Sequence, residues 1–91
     1  MLVKFFASIR DKTGCKETSI PHEKNVRALL HALSARYGPG LQKKLLSEDG
    51  MQPGCEVIIF VNGRHLEHMG GIEASLQPDD MVLIFPVLAG G

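Results

Sequence analysis

The sequence predicts an α+β fold, a mixed sheet of four to five strands packed on one main helix. Three observations carry this. Val26, Leu29, Leu30, Leu33 and Tyr37 recur with helical spacing and form one apolar stripe. Runs of β-branched and aromatic residues flank that stripe on both sides, at residues 2–9, 16–20, 56–61 and 81–88. One of these runs leads directly into Asn62-Gly63, the preferred centre of a tight type I′ hairpin.

Residues 2–9 alternate. Val3, Phe5, Ala7 and Ile9 fall on one face, and Leu2, Lys4, Phe6 and Ser8 on the other. Lys4 keeps its face out of the deep core. Residues 10–14 supply a turn and 16–20 a short return strand, which makes an opening hairpin. Asn25 caps the helix, because its side-chain oxygen can accept a free amide of the first turn. Arg27, Ser34 and Arg36 lie off the apolar stripe. Gly38-Pro39-Gly40 ends the helix, since proline cannot continue it and glycine suits a left-handed cap.

Residues 41–46 read as a further short turn of helix, and 47–54 as loop. The strand at 56–61 folds back through Asn62-Gly63 onto residues 64–66. Gly70-Gly71 and residues 77–80 are turns. The last strand, 81–88, is apolar on both faces, as a central strand is. One helix covers only one face of such a sheet. The other face is therefore polar, or a landing site for a partner.

Composition narrows the function. Of 91 residues, 44% are hydrophobic and 22% charged, the balance of a globular chain. Ten Lys and Arg against ten Asp and Glu leave no basic field for nucleic acid or an anionic membrane. The longest apolar stretch, 81–89, contains Pro86 and falls far short of the roughly 20 residues that span a bilayer. The first residues enter a strand pattern without the layout of a signal peptide. A cytoplasmic location is expected, with Cys15 and Cys55 as reduced, buried or half-buried thiols.

The end of the chain is unusual. Phe85-Pro86-Val87-Leu88-Ala89-Gly90-Gly91 carries no charged side chain and closes on a bare Gly-Gly. With Phe5-Phe6-Ala7 in the first strand, Val61-Asn62-Gly63 at the hairpin and residues 76–82 before the last strand, this chain resembles the ubiquitin-like sulfur carriers. That family includes the small subunit of molybdopterin synthase, the thiamine sulfur carrier and the carrier of a cysteine-forming pathway. The resemblance covers essentially the whole chain. It implies a ubiquitin-like β-grasp and a single carrier domain, 1–91, with a flexible tail at 89–91. The chain departs from the family at Pro78-Asp79-Asp80, where an Asp-Gly-Asp is usual, and at Val87, where a second proline is common. The length of 38–56 and Gly70-Gly71-Ile72 favour a molybdopterin-type or cysteine-type carrier over a thiamine-type one.

The resemblance also implies the chemistry. An ATP-dependent activating enzyme would adenylate the Gly91 carboxylate, and a sulfur donor would convert the acyl-adenylate to a thiocarboxylate. That sulfur would then act in an acceptor such as the molybdopterin synthase large subunit. Gly90 and Gly91, lacking Cβ atoms, would pass a narrow channel, and Ala89 keeps the preceding position slim. Phe6, Leu83, Phe85, Val87 and Leu88 would face the partner. The chain would bind no cofactor itself and would be a carrier rather than an enzyme.

Other features point to less. His65 and His68, with Cys55 ten residues earlier, lack the paired short spacing of a zinc site, and His22 and His31 have still less support. Cys15 beside Lys16 has no visible base to make it a nucleophile. Lys24, Arg36, Lys43 and Lys44 read as ordinary solvated charge. Two rivals remain open: a modifier conjugated to lysines through Gly91, and a non-covalent interaction module whose Gly-Gly is incidental.

Overall fold

The computed structural model describes residues 1–87. The chain begins with β1 (Leu2–Phe5), a short α1 (Ile9–Thr13) and β2 (Glu17–Ser19), followed by α2 (Val26–Tyr37) and α3 (Pro39–Leu45). After these come β3 (Val57–Val61), β4 (Arg64–His65), two single turns of 3₁₀ helix, and β5 (Met81–Pro86). The strands form one mixed sheet in the order β2-β1-β5-β3-β4. β5 is central, as its two-sided apolar sequence predicts. It runs parallel to β1, with Val3 opposite Val82 and Phe5 opposite Ile84, and antiparallel to β3, with Phe60 opposite Leu83.

Alternation sends Val3, Phe5, Val57, Ile59, Val61, Val82 and Ile84 to one face, all of them buried. They share one hydrophobic cluster with Val26, Leu29, Leu30 and Leu33 of α2. The Asn25 side chain caps α2 by accepting from the Ala28 amide at 2.8 Å. At the β3–β4 hairpin Asn62 and Gly63 both have positive φ, 50° and 84°, as a type I′ turn requires.

Four expectations need correction. The first strand stops at Phe5 rather than Ile9. Ala7 turns the chain with φ 51°, and the Ile9, Arg10 and Asp11 amides donate to Phe6, Ala7 and Ser8 carbonyls, which starts α1 where a turn was expected. Ile9 is buried in either arrangement, so alternation could not tell a strand from a helical turn. Pro39 does not merely end α2; it occupies the first turn of α3, where its missing amide costs nothing, and Leu41 and Leu45 of that helix are buried. Ser34 is buried too, and its hydroxyl is satisfied by donating to the Leu30 carbonyl at 2.8 Å. Finally, Cys55 is exposed, whereas Cys15 is half-buried, with its sulfur 3.4 Å from the Tyr37 hydroxyl, and the two form no disulfide.

Candidate functional site

The site is built where β5 ends. Strand pairing stops at Pro86 rather than running to Leu88, and the Val87 amide donates to the Glu56 carbonyl at 2.8 Å. Val87 itself is 41% exposed, one of two large apolar side chains so open among the described residues. Leu88, Ala89, Gly90 and Gly91 lie outside the described residues. Glu56, whose carbonyl holds Val87, has its carboxylate paired with the Lys44 ammonium of α3. That ion pair and hydrogen bond hold the Glu56 carboxyl below the usual range for glutamate. The root of the tail is thereby tied to α3 as well as to the sheet.

The start of β5 is clamped differently. Asp80 accepts from the Asn62 side-chain amide at 2.7 Å and from the Gln77 backbone amide at 2.8 Å. Asn62 in turn accepts from the Met81 amide at 2.9 Å through its side-chain oxygen. Pro78-Asp79-Asp80, the departure from the family pattern, thus still places a carboxylate where it closes the turn onto the β3–β4 hairpin.

Between these two anchors lies the face of the sheet that the helices leave open. Lys4 and Phe6 share it, as do Leu83 and Phe85 of β5. The Phe6 and Phe85 rings stack at 4.2 Å between centroids with 8° between planes. Phe60 meets Phe85 edge-on at 5.8 Å, and His65 meets Phe60 edge-on at 5.4 Å. The Arg10 guanidinium carbon lies 5.8 Å above the Phe6 ring. This row crosses four segments of the chain, from Phe6 beside β1 to His65 of β4, and its Phe85 stands two residues before Val87. Its rings cover one another and are half-buried, less open than an exposed patch.

The structure therefore brings Phe6, Leu83 and Phe85 together on one face and puts Val87 at its end. It adds Phe60, Ile58, His65 and Arg10, which the reading of the sequence did not select. For Ile58 and Phe60 a signal was available, because alternation along β3 opposes them to Val57, Ile59 and Val61. Arg10 had none, since its position depends on α1. Among the described residues no group of three or more His, Cys, Asp and Glu side chains is arranged to hold a metal. The His65 and His68 rings stand 5.7 Å apart, and His65 Nδ1 accepts from the Glu67 amide.

The family model described as ThiS matches residues 3–91. The chain belongs to the ThiS family. Its relatives include Small archaeal modifier protein 3 of Haloferax volcanii, 32% identical over a 91-position alignment that covers 98% of this chain and 96% of that protein. Among solved structures, small archaeal modifier protein 1 from Methanosarcina acetivorans superposes with a TM-score of 0.85 at 26% identity, covering 99% of this chain and 94% of the other. CysO, in its complex with BexX from Amycolatopsis orientalis, superposes at 0.83 with 24% identity, covering 99% and 98%, and supports the fold. This ThiS-family chain is thus a ubiquitin-like β-grasp, in a family of small sulfur carriers and modifiers. Among its described residues no helix is long and apolar enough to cross a membrane.

Proposed function

We propose that the protein is a sulfur carrier whose working group is the carboxylate of Gly91. The observation that carries this reading is the ThiS-family match, which runs through residue 91 and so includes the Gly-Gly end. Carboxylate is a poor electrophile at neutral pH. Attack of a carboxylate oxygen on the α-phosphate of ATP, in an activating enzyme, releases pyrophosphate and leaves an acyl-adenylate. A donor of sulfur at the hydrosulfide level then adds through sulfur to that carbonyl, AMP departs with the electrons of the broken C–O bond, and the terminus becomes a thiocarboxylate. The catalytic side chains belong to the partners; this chain contributes the terminus and a docking face made by Phe6, Leu83 and Phe85, with Val87 and Leu88 leading into the tail. A molybdopterin-type or cysteine-type acceptor fits the sequence better than a thiamine-type one.

The test is the intact mass of protein isolated with its activating partner, which should show one oxygen exchanged for sulfur. A variant extended beyond Gly91 should fold and fail to load. Loading and delivery by the extended variant would sink the carrier reading. A second reading, conjugation of Gly91 to lysines, is favoured by the 32% identity to a small archaeal modifier protein. It predicts covalent, thiol-resistant ladders on denaturing gels, which a pure carrier does not give.

A further inference from the structure

His65 ends β4 and opens the 3₁₀ turn Leu66–Met69. The Glu67 amide donates to its Nδ1 at 3.1 Å, so the ring caps that turn. A backbone amide can only donate, and the bond therefore fixes the state of the ring as well as its place. Nδ1 is bare, and the one N–H proton of the neutral ring sits on Nε2. The half-buried ring also meets Phe60 of β3 edge-on, at 5.4 Å between centroids. Leu66, the next residue, is buried, and the Gly70 amide donates back to its carbonyl. The turn is thus held from within the core as well as by its cap.

The titratable and charged groups around the ring come from two segments. On its own segment stand Arg64, Glu67 and His68, all exposed, with the His68 ring 5.7 Å away. The loop before β3 supplies Cys55, across a cleft of about 420 Å³ that His65 and Glu67 also line. β3 itself presents the uncharged Phe60. With Nδ1 engaged and Nε2 protonated, the neutral ring keeps no free lone pair, so in this state it is no base for the Cys55 thiol.

We infer that His65 is a proton-operated latch: neutral, it caps the 3₁₀ turn and packs on Phe60; protonated, it lets go of both. A second proton makes Nδ1 a donor, and it then faces the Glu67 amide, another donor, so the bond between them is lost. The ring has to turn to bring that N–H to an acceptor. Such a turn carries it off Phe60, which also meets Phe85. Leu66 stays buried, so the change is confined to the ring, the Glu67 amide and one end of the aromatic row. Histidine is the side chain that ordinarily changes charge between about pH 5 and 8, which makes the latch operable near neutrality. The device belongs to the chain itself and is independent of what the carboxylate of Gly91 does.

Long-range proton–nitrogen correlation spectra of the labelled full chain, taken from pH 8 to pH 5, test it. At the alkaline end His65 should show a bare Nδ1 and a protonated Nε2. As His65 takes up its proton, the exchange protection of the Glu67 amide, corrected for the intrinsic rate at each pH, should fall about fivefold, the worth of an N-cap hydrogen bond. The Phe60 ring protons should shift with the same midpoint. His65→Asn sets an oxygen close to where Nδ1 stands, so it should keep the cap at every pH and abolish the step. His68→Gln removes the other nearby histidine and should leave the step in place. A neutral His65 with its proton on Nδ1 overturns the inference, as does a Glu67 amide that ignores the titration of His65. A step that survives His65→Asn, or that disappears with His68→Gln, overturns it too. If His65→Asn lowers Tm, the wild-type spectra and His68→Gln decide the question without it.

Discussion

Asp80 is 9% exposed and spends both carboxylate oxygens on neighbours, one on the Asn62 amide and one on the Gln77 amide. Truncating this side chain to a methyl group leaves both donors facing a gap. Asp80→Ala should therefore cost roughly 2–3 kcal/mol, the range for hydrogen bonds to a charged group whose partners are left unpaired. A shift of the urea midpoint at unchanged slope would measure it. Gly54 is a second single-atom constraint. A Cβ there would run into the backbone carbonyl of Lys44, and the Gly54 amide donates to Leu45 at 2.8 Å, so neither side can retreat. Gly54→Ala should lower Tm and disturb the loop that leads into β3. Asp49 is a titration case. The Ser47 hydroxyl and the Met51 amide donate to its carboxylate and hold its pKa below that of an ordinary aspartate. A lowered folded pKa stabilises above the unfolded value and is lost as pH falls through the folded one. The side-chain carboxyl resonance of Asp49 should thus titrate at lower pH than that of a free aspartate, and the 47–52 turn should loosen only in acid. An Asp49 that titrates at the ordinary value would show that the turn is open in solution.

Among the elements, α2 sets the largest energies. Leu30 and Leu33 are fully buried against the sheet, and replacing either by alanine should cost about 2–5 kcal/mol in lost burial and cavity. That is a large share of the roughly 5–15 kcal/mol typical of a native domain. Arg27→Ala removes an ion pair with Glu73 whose side chains are 33% and 55% exposed, and should cost at most about 1 kcal/mol. Equal urea midpoints for Leu33→Ala and Arg27→Ala would mean that the helix presents another face. This helix was legible in the sequence because everything that specifies it is local: Asn25 before it, the stripe within it and Gly38 after it. α1 was hidden for a physical reason. Ile9 reaches the core from a strand or from a helical turn, and what chooses between them is the reversal at Ala7, an ordinary residue at positive φ. α3 was half legible, since Pro39 reads equally as the end of one helix and the start of the next. Of the candidate site, alternation put Phe6 on the face of Lys4 and Leu83 on the face of Phe85, while their role toward a partner came only from the family resemblance. Arg10 did not, because its contact with Phe6 exists only once α1 folds back.

For the whole molecule the two faces of the sheet should behave as separate properties, one of stability and one of binding. Phe6→Ala and Phe85→Ala remove half-buried rings from the open face. They should weaken binding to the activating enzyme about 30-fold or more, the scale of an interface hot spot. Their Tm should fall less than that of Leu33→Ala, since each loses a stacking partner rather than a filled core position. An affinity titration and a melting curve for each variant decide the matter. If Phe85→Ala unfolds the protein while Phe6→Ala binds normally, the rings are structural and docking occurs elsewhere. Phe60→Ala supplies an independent check, because Phe60 meets Phe85 from a different strand.

The parallel pairing of β1 with β5 has a consequence for synthesis on the ribosome. Among the described residues the central strand of the sheet is the last strand made, and its neighbour on one side is the first. Contacts between such distant segments form late, because the intervening chain must be closed before they contribute. A nascent chain stalled before β5 leaves the ribosome therefore has two half-sheets with no strand to join them. Protease digestion of ribosome-arrested chains should show protection only once residues 81–86 have cleared the exit tunnel, and earlier protection would refute this order. Translation thus couples folding to the synthesis of β5: a cell that finds this domain folded has found one in which residues 81–86 were made.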